Sequence, residues 1–204
     1  MIKPNVVRRF YDDVMLGLTR QFYLTKVSGF ENLPEEPVII APNHKTFFDA
    51  TLLEAAIARR RGREMKFVYR THGNSPLWRA IDYFSESLGN IMITGQNYPS
   101  AREVVKNAGK ELLGRGYDVC IFPEGRFPKG EGLGKFNGGA SGLAIETGAR
   151  IVPVHIDNSN LRLLHRVDLR IGPPISPDGY QQNTRDELSD IVKKGVEKLM
   201  NGSI

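Results

Sequence analysis

A histidine and two carboxylates in this chain each follow a short apolar run, at points where strands are expected to end. His44 and Asp49 come after the apolar residues 37–41, and Glu124 comes directly after the run 117–122. In open α/β sheets, ligands bind outside the carboxyl ends of the strands. We therefore predict an active site that is built from these three side chains.

The spacing of His44 and Asp49 restricts how the two side chains can meet. On a regular helix, residues five apart point roughly 140° away from each other, so His44 must lie in a loop and Asp49 in the first helical turn. Pro42 and Asn43 interrupt the strand, and Thr46 is predicted as the N-cap. Asp49 would then orient the imidazole and leave its other nitrogen as a base, as in a catalytic triad. The alternative is a capping box, in which Asp49 only caps the helix and His44 is an ordinary loop residue.

The segment after the second apolar run could bind an anion. A carboxylate and a bare glycine backbone, as in Glu124 and Gly125, can bind hydroxyl groups and a phosphate or oxyanion. Arg126, Lys129 and Lys135 lie in the same loop and could neutralise such a group. The alternative is a solvated, charged turn.

Composition limits the class of protein. With 204 residues, 40% hydrophobic and 25% charged, the chain is predicted to be one ordinary globular domain. Its single cysteine excludes an internal disulfide. We expect no transmembrane helix and no signal peptide, and hence a cytoplasmic protein. The chain has 28 Lys and Arg residues and 23 Asp and Glu residues. The resulting net charge of +5 favours an anionic partner surface. No ligand spacing indicates a metal site, and no basic, aromatic-rich stretch indicates nucleic-acid binding.

The pattern of apolar residues predicts an α/β fold, with a single, mostly parallel mixed sheet covered by helices. The predicted strands are 26–30, 37–41, 66–70, 91–94, 117–122, 150–156 and 167–171. The predicted helices after the N-terminal one are 47–60, 77–84, 100–114, 139–147 and 184–200.

An amphipathic helix is predicted for the N-terminal residues 1–25, which we treat as a unit distinct from 26–204. Its apolar stripe consists of Val6, Phe10, Val14, Leu18 and Phe22, with Val7, Tyr11 and Met15 alongside. Lys3, Arg8, Arg9 and Arg20 flank the stripe. The helix could therefore contact an anionic membrane, or it could pack on the core of the domain.

The motifs, in their order and spacing, resemble those of the glycerolipid acyltransferase family, which includes the lysophosphatidic acid acyltransferases. The resemblance runs from Val27 to Pro174. Residues 43–49 are similar to the family's catalytic motif, and residues 122–125 to its acceptor-binding motif. Residues 136–140, 147–154 and 171–175 resemble the segments that follow.

The chain departs from the family pattern at three places. After Gly125 the family usually continues Thr-Arg-Ser, whereas this chain has Arg126, Phe127 and Pro128. An arginine that contacts the acceptor's phosphate is absent after residues 89–94, and Asn137 replaces an expected lysine. Either another cation compensates or the acceptor carries no glycerol phosphate. The candidate cations are Arg70, Arg79, Arg126 and Lys129.

The resemblance implies that residues 26–204 form an acyltransferase domain. It would move a fatty acyl group from acyl-CoA or acyl carrier protein to a hydroxyl of a glycerol-phosphate-type lipid, without a cofactor. His44 would be the general base and Asp49 its orienting acid. The implied acceptor-binding residues are Glu124, Gly125, Arg126 and Lys129, and the implied oxyanion or supporting residues are Asn43 and Lys45.

The same resemblance implies peripheral association with the inner face of the membrane. Three alternatives stay open at this point. They are an acyltransferase with a non-phosphate acceptor, a thioesterase that uses the same histidine and aspartate, and a non-catalytic lipid-binding protein.

Overall fold

Seven strands form a single sheet in the computed structural model, which describes residues 4–71, 75–93, 98–127, 132–157 and 167–202. The strands are β1 (Leu24–Ser28), β2 (Ile39–Pro42), β3 (Met65–Arg70), β4 (Ile91–Ile93), β5 (Asp118–Ile121), β6 (Ile151–Asp157) and β7 (Val167–Ile171). Their order is β1-β7-β6-β2-β5-β3-β4. All neighbours are parallel except β6 and β7. The mostly parallel mixed sheet predicted from the sequence is confirmed.

Helices cover both faces of the sheet. Two of them contain a π-helical central piece: α1 runs through Pro4–Phe10, Tyr11–Met15 and Leu16–Phe22, and α2 through Asp49–Leu53, Glu54–Ala58 and Arg59–Arg61. The others are α3 (Pro76–Ser87), α4 (Tyr98–Gly114), α5 (Gly139–Thr147) and α6 (Arg185–Met200). Among the described residues, no helix has both the length and the apolar content needed to cross a membrane.

The central strands are buried on both sides, which explains their continuous apolar runs. On one face, Ile39 and Ile151 pack with Leu143 of α5 and Val192 of α6. On the other face, the partners of the sheet include Leu52, Leu53 and Ile57 of α2. The sheet is therefore held rigidly, and the loops at the carboxyl ends of β2 and β5 start from fixed points.

The first strand lies two residues earlier than the pattern predicted. Gly29 ends β1 because its backbone turns into the left-handed region, with φ of 74°, and starts a 3-10 turn at Phe30–Asn32. A Cβ at this position would collide with the Ile171 carbonyl, so only glycine fits. Asn32 Nδ2 donates to the same carbonyl at 2.8 Å. The turn therefore ties β1 to the end of β7.

Helix α1 divides the apolar stripe predicted from the sequence into a buried and an exposed row. Val7, Tyr11 and Leu16 are buried against the domain. The row four residues apart points outward, with side chains 39–55% exposed, and consists of Val6, Phe10, Val14 and Leu18. Packing on the core and an exposed apolar face therefore coexist on one helix.

Polar contacts also join α1 to α2. The Arg8 guanidinium contacts the buried Glu54 carboxylate at 2.9 Å, and Arg20 Nε donates to the Ala55 carbonyl at 2.7 Å. Burial raises the pKa of Glu54, against the opposing pull of Arg8. Since removing one partner of a buried ion pair leaves an uncompensated charge, α1 is bound firmly to the helix that begins with Asp49.

Candidate active site

The strand order places the candidate residues beside one another, at the carboxyl ends of neighbouring strands in the middle of the sheet. Strand β2 lies between β5 and β6, so His44, which follows β2, is beside Glu124, which follows β5. The His44 amide donates to Glu124 Oε1 at 2.9 Å. Two motifs 80 residues apart in sequence are therefore in direct contact.

His44 and Asp49 form the pair that their spacing suggested. His44 Nδ1 lies 3.0 Å from Asp49 Oδ2, and the Asp49 side chain is completely buried. The amides of Lys45 and Thr46 donate to the same oxygen at 2.7 and 2.9 Å. Because two backbone amides already donate to this oxygen, it acts as an acceptor, which favours a proton on Nδ1 and leaves Nε2 as the basic nitrogen.

The predicted N-cap role of Thr46 is wrong. Helix α2 begins at Asp49 after Phe48, and the Thr46 hydroxyl donates to Asp49 Oδ1 at 2.7 Å instead of capping the helix. The Asp49 carboxylate nevertheless accepts the Thr46 amide, which is one half of a capping box. The Asp49 carboxylate thus both contacts the histidine and closes the turn before α2, so its geometry is compatible with an orienting role as well as a capping role.

Two aromatic rings lie against the His44 imidazole. The Phe122 ring is stacked at 4.0 Å between centroids, and the Phe127 ring is tilted at 4.4 Å. The sequence indicated neither contact, although Phe127 lies where the chain departs from the family pattern. The rings restrict the imidazole to one plane, and its side chain is 19% exposed.

Asn43 anchors the histidine loop to the sheet. Its Nδ2 donates to the Ile156 carbonyl at 3.1 Å, and its Oδ1 accepts the Ile156 amide at 2.6 Å. The side chain continues the pairing of β2 with β6 beyond the last strand residue. These contacts are compatible with the supporting role expected for Asn43, which stays a prediction.

The predicted oxyanion donors already have partners in this structure. The Asn43 amide donates to the Val154 carbonyl, and the His44 and Lys45 amides donate to Glu124 and Asp49. The Gly125 amide donates to the Phe122 carbonyl. The oxyanion role expected of these backbone groups stays a prediction, and it would require the amides to leave these acceptors. The exposed Lys45 ammonium is the remaining positive group of that segment.

Glu124 uses both carboxylate oxygens to hold backbone. Besides the His44 amide on Oε1, Oε2 accepts the Gly134 amide at 2.7 Å, and the side chain is 5% exposed. A Cβ on Gly134 would lie 2.9 Å from that oxygen, so a glycine permits the approach. Glu124 therefore ties the loop after β5 to the histidine loop.

Asn137, which stands where the family has a lysine, has a structural role. Its Nδ2 donates to the Pro123 and Glu124 carbonyls at 3.0 and 3.1 Å. Gly125 occupies the left-handed region with φ of 66°, and a Cβ there would press on the Asn137 amide. The Asn137 side chain therefore holds the turn that contains Gly125 and Arg126 in place.

The candidate cations for an anionic acceptor are only partly located. Arg126 is exposed on the loop after β5, and Arg79 is exposed on α3. Arg70 ends β3 at the same edge of the sheet as His44, and pairs in register with Ile93 of β4. Lys129 lies outside the described residues. Within the part of the chain that the structure describes, no cluster of His, Cys, Asp and Glu could hold a metal ion.

Comparisons with known proteins identify the family of this chain. The family model described as Acyltransferase matches residues 24–157, more than half of the 204 residues. The chloroplastic 1-acyl-sn-glycerol-3-phosphate acyltransferase LPAT1 of Arabidopsis thaliana is 32% identical over 136 residues, which cover 65% of this chain and 36% of that protein. This chain thus spans little more than a third of that relative's length.

Two bacterial proteins are similar over more of their length. The 1-acyl-sn-glycerol-3-phosphate acyltransferase of Pseudomonas aeruginosa PAO1 is 31% identical over 190 residues, covering 86% of this chain and 68% of that protein. The crystal structure of the 1-acyl-sn-glycerophosphate acyltransferase PlsC from Thermotoga maritima aligns with a TM-score of 0.66 at 22% identity. That alignment covers 97% of this chain and 79% of the other. By its matched residues and its fold, this chain belongs to the acyltransferase family that its motifs indicated.

Proposed function

We propose that this protein transfers a fatty acyl group from a thioester donor to a hydroxyl of a 1-acylglycerol-3-phosphate-type lipid. The observation that carries the proposal is the contact of His44 Nδ1 with the buried Asp49 carboxylate at the carboxyl edge of the sheet. The 1-acyl-sn-glycerol-3-phosphate acyltransferase activity of the relatives suggests the substrate class. The donor is acyl-CoA or acyl carrier protein.

The chemistry follows from the free Nε2 of His44. That nitrogen takes the proton of the acceptor hydroxyl as the oxygen attacks the thioester carbonyl carbon. The C–S bond breaks, and the leaving thiolate takes the proton from the imidazolium, which gives an ester and a thiol. General base catalysis of this kind contributes about 10²- to 10⁴-fold to the rate, and positioning of the two substrates adds to it.

The test is a product screen by mass spectrometry. The protein is incubated with palmitoyl-CoA and with lysophosphatidic acid, monoacylglycerol or no acceptor. We expect phosphatidic acid in the first reaction. Free palmitate in all three at equal rates would identify a thioesterase instead, and diacylglycerol without phosphatidic acid would identify a non-phosphate acceptor.

A non-phosphate acceptor is the second candidate, and one contact favours it. Phe127 lies against His44 at a motif position where the family carries arginine. If the acceptor does carry a phosphate, its charge has to be met by Arg126 or by Arg70, which follow β5 and end β3 at the carboxyl ends of the strands.

Arg126 gives a direct prediction about the acceptor. If the acceptor is anionic, Arg126→Gln should raise its KM about threefold to tenfold and leave the KM for acyl-CoA unchanged, because a charge-assisted hydrogen bond is lost. Steady-state kinetics with each substrate varied in turn measure both constants. Arg115→Gln is the matched control, since Arg115 is an exposed arginine that precedes β5 at the opposite edge. A raised KM for acyl-CoA alone would place Arg126 on the donor instead.

We also propose that the exposed row of α1 binds the membrane surface. Phe47 and Phe48, in the loop that carries His44, and Leu77, at the start of α3, are further apolar residues that are 50–67% exposed. The expected basic flank is smaller than the sequence suggested, because Arg8 is paired with Glu54 and Arg20 with the Ala55 carbonyl. Burial of apolar area is therefore the main attraction.

The membrane proposal predicts the effect of polar substitutions. Phe10→Ser with Leu18→Ser should weaken binding to anionic vesicles at least about tenfold, because two large side chains leave the bilayer. Co-sedimentation measures the binding. The melting temperature should stay the same, since both side chains are about half exposed.

The matched control is Val104→Ser with Ile191→Ser on α4 and α6. Both residues are exposed large apolar side chains on the helices of the opposite face. Equal loss of vesicle binding in the two double variants would remove the specific role of α1.

A further inference from the structure

Phe127 covers His44 although its own side chain faces solvent. It is 43% exposed, yet its ring centroid lies 4.4 Å from that of the imidazole. The ring belongs to the loop whose turn is fixed by Asn137 and Glu124, so its approach to His44 is built into that loop. Packing against a core does not account for a ring with so much exposed surface.

The charge of His44 changes during the proposed reaction, and an aromatic face responds to that change. A phenyl ring attracts a cation through its quadrupole and has little such attraction for a neutral group. His44 is neutral before transfer and becomes an imidazolium when it takes the hydroxyl proton. An interaction that grows along the reaction lowers the barrier, whereas one of constant strength does not.

We propose that Phe127 is a positioning residue that acts through His44: its ring keeps the imidazole directed at Asp49 and favours the imidazolium as the proton is transferred. The inference rests on the proposed role of His44 as general base. Phe122 supplies the second ring, but it also packs in the core around β2, so Phe127 is the residue that can be changed without disturbing the fold.

Two carboxylates contact His44, and two cations are neighbours of His44 or Phe127 in sequence; all four must be held constant in a test. Asp49 of α2 faces Nδ1, and Glu124 after β5 holds the His44 amide. Lys45 follows His44 in its own loop, and Arg126 precedes Phe127. The acids favour the imidazolium and the cations oppose it. A change from phenylalanine to leucine alters none of these charges, so a change in the pH profile reports on the ring.

The experiment compares Phe127→Leu with Phe127→Tyr. Leucine keeps an apolar side chain of similar size but has no quadrupole, whereas tyrosine keeps the aromatic face. For the leucine variant, kcat at the pH optimum should fall about threefold to tenfold. The acid limb of the kcat/KM profile should move to lower pH by about half a unit to one unit, because the imidazolium is less favoured. The tyrosine variant should match the wild type in both.

Phe47→Leu is the matched control. Phe47 is an exposed phenylalanine in the loop that carries His44, but its ring lies against Trp78, with 6.3 Å between centroids, rather than against the imidazole. Its acid limb should stay in place.

Several results would overturn the inference. A reduced kcat without a shift of the acid limb would mean that Phe127 only packs against His44. An equal loss of kcat in Phe127→Leu and Phe127→Tyr would have the same meaning. A raised acceptor KM alone would make it a substrate contact. If His44→Ala is also fully active, the proposed function itself fails. If His44→Ala is inactive and Phe127→Leu behaves like the wild type, only this inference fails.

Discussion

Replacing His44 with alanine is expected to lower kcat by at least about 10²- to 10⁴-fold, because the proposed reaction loses its only general base. The fold should remain intact. The Lys45 and Thr46 amides still donate to Asp49 without the imidazole, and Asn43 still anchors the loop to β6. Initial rates with palmitoyl-CoA and lysophosphatidic acid measure the loss, and a thermal melt checks the fold.

Added imidazole gives this experiment a second readout. A small base that enters the space left by the side chain should restore part of the activity of His44→Ala and none of the activity of the wild type. If His44→Ala turns over at nearly the wild-type rate without added imidazole, another group takes the proton.

Replacing Asp49 with asparagine is expected to lower kcat by about 10²- to 10⁴-fold with little change in stability, because it removes the negative charge and keeps the shape. Three N–H groups point at Oδ2, so an asparagine would place its oxygen there. Its NH2 would then donate to the Thr46 hydroxyl, which can accept as well as donate. The tautomer of His44 is preserved in Asp49→Asn. The decrease in kcat therefore measures how much the negative charge of Asp49 stabilises the imidazolium.

Asp49→Ala separates charge from structure. Alanine leaves the amides of Lys45 and Thr46 without their acceptor, and each unsatisfied buried donor costs about 1–3 kcal/mol. Its midpoint in urea should therefore fall, whereas that of Asp49→Asn should not. An asparagine variant with near wild-type kcat would show that the charge of Asp49 is dispensable. Equal destabilisation of the two variants would show that the asparagine does not keep the loop.

The features of this protein that can be predicted from its sequence are those that neighbouring residues in the chain determine. Helix α5 and strand β7 have the predicted bounds, because a glycine pair and a regular alternation mark them. His44 and Asp49 are five residues apart, and the loop geometry that joins them follows from the breakers before them. The family was recognised for the same reason, since its motifs are local.

The remaining features depend on contacts between distant residues. The binding partners of Glu124 are amides 80 and 10 residues away, so its tie to the histidine loop has no local signal. Both rows of α1 are apolar in sequence, and the packing against Ala55 of α2 and against Phe84 and Leu88 at the end of α3 decides that Val7 is buried and Val6 is exposed. Phe127 was visible as a departure from the motif, but its contact with His44 requires the bend of the loop after β5.

The strand order also determines when the protein can acquire its site during synthesis. Of the first four strands to leave the ribosome, only β3 and β4 are neighbours in the sheet, since β1 pairs with β7 and β2 with β5 and β6. The hydrogen bonds between Asn43 and Ile156 cannot form until Ile156, which is 113 residues further along the chain, has been synthesised. Strand β2 therefore stays unpaired until β5 is made at residues 118–121, and pairing across such distances is slow. We expect the nascent chain to be prone to aggregation until β6 emerges, and the histidine loop to be among the last parts to become ordered.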